Sequence, residues 1–104
     1  MSEKVYLCES SEVKEGILGS FDVEDVKLMA TRLGGKVFVA SRICTHKTFD
    51  LTKGHYSDGY VTCTLHTSTF DIEDGEALNP PATEALDIYE VSEEEGKIFI
   101  LLPE

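Results

Sequence analysis

Two short stretches hold four side chains able to bind a soft metal: "CTH" supplies Cys44 and His46, and "CTLH" supplies Cys63 and His66. The pattern is Cys-x-His, sixteen intervening residues, then Cys-x-x-His. The chain has only three Cys and three His, so two compact pairs point to four ligands acting together rather than to chance placement in loops. A tetrahedral zinc site accepts two thiolates and two imidazoles. Such sites commonly start with two Cys close together, whereas each stretch here gives one Cys and one His. If each loop sends one ligand to each of two metals, the two Cys can hold one iron and the two His the other, with sulfides bridging them. Both chemistries stand at this point.

The elements that must position these loops read as β. "KVYLCES" alternates, with Val5 and Leu7 on one side and Tyr6 and Cys8 on the other, and Cys8 is most simply a small packed residue. "VKLMATRL" and "KVFVASRI" are separated by Gly34 and Gly35, a pair that tolerates the positive φ of a tight hairpin. "ALDIYEV" and "KIFILL" flank the turn-like "SEEEG" and predict a second, C-terminal hairpin. Helical periodicity is absent apart from a turn or two within 21–26. From about residue 43 to 85 the character changes. Gly54, Gly59, Gly75, Asn79, Pro80 and Pro81 punctuate this region, and only "GYVTC" and "STFDI" look extended, with "EDGE" as a turn. The expectation is one all-β domain over residues 1–104, an antiparallel scaffold with an inserted loop-rich subdomain.

A chain of 104 residues builds a modest core for which a bound metal is a plausible staple. Its formal charge is -11, and the acidity is concentrated late: from residue 67 onward eleven Asp and Glu face only Lys97. That balance argues against nucleic acid and anionic membranes and suits a basic protein partner. No segment approaches the roughly 20 apolar residues that span a bilayer, and no N-terminal run has the form of a leader. Three Cys cannot all pair within one chain, so free thiols in a reducing, cytoplasmic setting are expected. His55 reads as an exposed loop residue, and Tyr56 and Tyr60 as packing residues. No nucleophile with an orienting base and no phosphate-binding glycine loop is visible, so no enzyme active site is predicted.

The two Cys/His pairs and their spacing resemble the ligand pattern of Rieske-type 2Fe-2S proteins, in which a pair of His replaces a pair of Cys on one iron. The resemblance extends from about residue 5 to 102, because the flanking strands and the order of their hairpins fit too. It implies a Rieske-like antiparallel β-sandwich or barrel carrying one 2Fe-2S cluster. Cys44 and Cys63 would hold the more buried iron, and His46 and His66 the more exposed one. Asn79-Pro80-Pro81-Ala82 resembles the family's proline loop over the cluster, and Phe70-Asp71 its aromatic-Asp pair. Two ferric ions, two sulfides and two thiolates sum to zero formal charge, so reduction adds a single negative charge; an all-Cys cluster starts two units more negative and is harder to reduce.

Departures from the pattern narrow the subclass. High-potential members carry one further Cys in each knuckle, joined in a disulfide; the matching places here are Phe49 and Leu65. Those members also place a hydroxyl-bearing Tyr where this chain has Phe70. Ser68 keeps the place from which members donate to a bridging sulfide, while Thr64 and Thr67 stand where Pro and Gly are frequent. Fewer hydrogen bonds stabilise a reduced cluster less. The resemblance is therefore to low-potential ferredoxins serving oxygenases, with a potential towards the lower end of about -150 to +300 mV. The function implied is a soluble one-electron carrier between a reductase and an oxygenase or other terminal acceptor. A structural zinc-binding interaction module and an accessory redox subunit of a larger enzyme are the alternatives.

Overall fold

The structure is a computed structural model that describes residues 2–44, 49–63, 68–80 and 84–103. In chain order the strands are β1 Ser2–Glu9, β2 Gly19–Val23, β3 Val26–Leu33, β4 Lys36–Ser41, β5 His55–Ser57, β6 Tyr60–Cys63, β7 Ser68–Asp71, β8 Ile88–Tyr89, β9 Val91–Glu94 and β10 Lys97–Pro103. They form three antiparallel sheets, ordered β1-β10-β9, β2-β3-β4-β8 and β5-β6-β7. Among the described residues the only helical pieces are two single 3₁₀ turns.

The middle sheet is covered on both faces, which explains why β3 reads as a nearly continuous apolar run. Leu28 and Ala30 enter one core with Cys8, Val37, Val39, Ile98, Ile100 and Leu102. Met29 enters a second core with Ala40, Cys44, Leu51, Val61, Cys63 and Phe70. Thr31 is fully buried, and its Oγ1 donates to the Ile17 carbonyl at 2.8 Å. Each fully buried aliphatic or aromatic side chain contributes roughly 1.5–3 kcal/mol relative to exposure, so the first core ties β1 and β10 to the middle sheet and the second anchors the β5-β6-β7 sheet to it.

The β3–β4 hairpin turns at Gly34 and Gly35, whose φ values of 63° and 82° fit the left-handed pair that this turn type requires. The C-terminal hairpin forms too, with its turn shifted. Ser92, Glu93 and Glu94 belong to β9, and only Glu95 and Gly96 turn. Acidic side chains are compatible with an edge strand, where Lys4 Nζ meets Glu94 at 2.7 Å and Arg32 meets Glu93 at 2.9 Å. "ALDIYEV" is likewise divided: Ile88 and Tyr89 pair with β4, and Val91 pairs with β10.

Three local expectations are corrected. Residues 21–26 form no helical turn; they are a hairpin with Val23 opposite Val26 and Glu24 at φ 56°. Tyr6 and Cys8 do not share a face, because the register against β10 shifts between them, leaving Tyr6 exposed and Cys8 buried. His55 is exposed as expected, but it lies in β5, opposite Thr62, and not in a loop.

Candidate metal centre

The first knuckle leaves the sheet as β4 ends. Arg42 and Leu51 are joined by a backbone bond of 2.7 Å, Ile43 bridges Asp50, and the Cys44 amide donates to the Phe49 carbonyl at 3.0 Å. This ladder closes the loop immediately after Cys44. Asp50 then caps the 3₁₀ turn Leu51–Lys53, its Oδ1 accepting the Thr52 amide at 3.0 Å. Arg42, inside an otherwise apolar run, is buried. Its Nε donates to Asp50 Oδ2 at 2.9 Å and its Nη1 to Asp22 Oδ1 at 2.7 Å and the Phe21 carbonyl at 3.0 Å. Burial works against the Asp50 charge, yet the hydrogen bonds from Thr52 and Arg42 outweigh it and hold the carboxyl below the usual range. Burial likewise opposes the charge on Arg42, and its bonds to Asp22 and Asp50 keep it firmly protonated.

The second knuckle begins where β6 ends. Cys63 lies opposite Ser68 in the β6–β7 register, so this pair closes the loop between them. Strand alternation places Val61, Cys63, Ser68 and Phe70 on one face, and all four are fully buried. The opposite face carries Thr62 and Thr69, whose hydroxyls lie 3.1 Å apart. The segment approaching Pro80 is tied to β7: the Thr69 carbonyl accepts the Leu78 amide at 2.8 Å, and Asn79 Oδ1 accepts the Thr69 amide at 2.7 Å. Pro80 itself is exposed. His46, His66, Leu65 and Pro81 lie outside the described residues, as do Thr64, Thr67 and Ala82.

The structure therefore brings together the thiol half of the expected ligand set. Cys44 and Cys63 are free thiols, both buried, in one apolar cluster with Leu51 and Phe70, and each stands where its loop leaves a backbone ladder. Two soft donors buried in one apolar cluster fit the cysteine side of an iron–sulfur cluster. Phe49, at one disulfide position of high-potential relatives, instead packs against that same core. Of the two tyrosines read as packing, Tyr56 is half-buried against this core and Tyr60 is exposed on the outer surface. Sequence reasoning missed the roles of Arg42, Asp50 and the Asn79 side chain. The one available signal was a cation at the end of "VFVASRIC", where a buried charge demands partners.

Comparison with known proteins agrees with this geometry. The model of the Rieske [2Fe-2S] domain matches residues 3–90. The 3-phenylpropionate/cinnamic acid dioxygenase ferredoxin subunit of Shigella flexneri serotype 5b is 34% identical over 102 residues, spanning 97% of this chain and 95% of the relative. Among solved structures, the Sphingomonas yanoikuyae B1 ferredoxin superposes with a TM-score of 0.89 at 31% identity, covering 97% of this chain and all of that one, 100%. The ferredoxin of carbazole 1,9a-dioxygenase from Nocardioides aromaticivorans IC177 gives 0.85 at 25% identity, with 93% and 95% covered.

Proposed function

This chain belongs to the Rieske [2Fe-2S] domain family, and from that premise we propose that Cys44 and Cys63 hold one iron of its cluster and His46 and His66 the other. The chain carries one 2Fe-2S cluster and is an electron carrier rather than a catalyst. One-electron uptake and release is the chemistry the bound cluster supplies. The observation that carries the ligand assignment is the convergence of two buried free thiols at the bases of two separate loops. Each thiol sits at the sheet-anchored end of its loop, so the cysteine side is shielded from water by Leu51, Val61 and Phe70. In each knuckle the histidine follows the cysteine in sequence, His46 after Cys44 and His66 after Cys63. Ser68, buried opposite Cys63, and Pro80, which follows the tethered Asn79, are supporting residues, with Pro81 next in sequence. Residues 43–85 serve as the cluster-binding subdomain of a single domain over 1–104.

The partners in this reading are a reductase and the terminal oxygenase of an aromatic-compound dioxygenase system, as the relatives' names suggest. The acidic C-terminal third favours basic docking surfaces and disfavours nucleic acid and anionic membranes. No helix among the described residues is long and apolar enough to cross a membrane, and free thiols suit a cytoplasmic setting. The zinc-module alternative gives way, since the matching family is defined by a [2Fe-2S] centre.

The deciding experiment is anaerobic purification with iron, zinc and acid-labile sulfide counted per chain, beside the visible and reduced-state EPR spectra. Two irons, two sulfides and a Rieske-type signal are expected, and Cys44→Ser or Cys63→Ser loses them because ligands and fold are coupled. A full-strength cluster in either variant would refute the assignment. Docking is tested by the rate of electron delivery to an oxygenase, expected to fall about tenfold from low to high ionic strength. An unchanged rate rules out steering by the acidic surface.

A further inference from the structure

The two loops that carry the thiols have no covalent link at Phe49, yet the first is held unusually firmly at its base. At Arg42 the chain is fixed from both sides by its backbone: its amide donates to the Lys27 carbonyl at 3.1 Å, and its own carbonyl accepts the Leu51 amide at 2.7 Å. The side chain repeats the connection in a second plane. It joins Asp50, on the returning limb of the loop, to Asp22 and the Phe21 carbonyl on β2, with a longer contact of 3.3 Å to the Leu28 carbonyl on β3. Cys44 is two residues away and makes the next backbone bond of the same ladder, to the Phe49 carbonyl.

Resting on Cys44 as a ligand, we propose that Arg42 is a positioning residue whose guanidinium, shared between Asp50 and the β2 carboxylate and carbonyl, is the non-covalent clamp that presents Cys44 to the cluster. The planar fork is essential to this role. Its Nε and Nη1 point in different directions and serve the loop and the sheet at once, which a lysine ammonium on a flexible stem does not reproduce. The guanidinium is buried and Asp50 is largely covered, whereas Asp22 is exposed, so bulk salt screens the Asp50 arm less than it screens a surface pair. Arg32 is the internal comparison. It too is multiply engaged, with Glu93 and the carbonyls of Val13, Gly35 and Ser10, but it ties β3 to β9 and the N-terminal connection, not to either knuckle.

The test compares Arg42→Met, Arg42→Lys and Asp50→Asn with Arg32→Met, all as anaerobic holoproteins. Iron release to a chelator is followed under native conditions beside the melting temperature and the reduced-state EPR spectrum. The Arg42 and Asp50 variants are expected to release iron about tenfold faster than the parent chain and to show altered g-values or broadened lines. Arg32→Met is expected to lower the melting temperature while keeping the parent spectrum and a release rate within about twofold. Arg42→Lys behaving as the parent would overturn the clamp, as would Arg32→Met releasing iron as fast as Arg42→Met. Should Arg42→Met fail to fold, Arg42→Lys and Asp50→Asn give the same reading. The iron and sulfide content of the parent judges the ligand assignment separately: a chain that holds both irons, with Arg42 variants no more labile, refutes the clamp alone.

Discussion

Gly54 is the position where a single methyl group should do the most damage close to the metal centre. It links the 3₁₀ turn Leu51–Lys53 to β5, and β5 pairs with β6 through His55 opposite Thr62. A Cβ at Gly54 would lie 2.1 Å from the Thr62 carbonyl oxygen and 3.3 Å from the Leu51 oxygen. Carbon–oxygen contacts settle near about 3.3 Å, so β5 and β6 must part by roughly 1 Å. The obstructing Thr62 oxygen is backbone, and no side chain can rotate away. The cost therefore belongs at the upper end of overpacking, about 3 kcal/mol. For a domain of this size that corresponds to a loss of roughly 12–24 °C in melting temperature. Gly34→Ala is the contrast: its φ of 63° strains an L-residue, but nothing lies within 4 Å, so about 1 kcal/mol is expected. Thermal unfolding of the anaerobic holoproteins, followed by circular dichroism and by the visible absorbance of the cluster, measures both. Thr62 adjoins Cys63, so Gly54→Ala should lose its visible absorbance as the sheet opens. If Gly54→Ala melts no lower than Gly34→Ala, the close-approach reasoning is wrong.

Two further predictions concern pH. Burial, with help from Glu12 and Glu9, pushes the Cys8 thiol up to about 11. The unfolded thiol ionises first, near about 8.5, so Cys8 contributes stability that is fully present below that value and lost as pH rises towards the folded one. Cys8→Ala should flatten this alkaline limb, and parallel slopes for variant and parent would contradict it. On the acid side, the hydrogen bond from Arg32 holds the Glu93 carboxyl below its usual range. Its contribution is present above the ordinary carboxylate value of about 4.3 and disappears as pH falls through the lowered one. Because the pair is partly exposed, Glu93→Gln should cost under about 1 kcal/mol at neutral pH, with the difference shrinking in urea titrations as pH falls below the ordinary carboxylate value. A difference undiminished by acid would refute the assignment.

The cluster type was legible because metal chemistry depends on residue identity: the Cys/His pattern of Cys44, His46, Cys63 and His66 carries the family reading in any conformation. The all-β class was legible as well, since period two and the Gly34-Gly35 turn are local properties of the chain. Register and partner choice were not. The shift that turns Cys8 into one core and leaves Tyr6 outside depends on how β1 meets β10, nearly the whole chain away. "ALDIYEV" looks like one strand until the middle sheet claims Ile88 and Tyr89 and β10 claims Val91. Arg42 illustrates the same divide at the metal centre. Its sequence neighbours announce a buried charge in need of partners, but Asp22 and Asp50 become those partners only when β2 and the returning limb of the first loop converge on it. Residue chemistry and backbone period are inherited from the chain itself; long-range hydrogen bonds and shared burial exist only after distant segments pack, and they decide that Cys44 and Cys63 gather in one core while Cys8 fills the other.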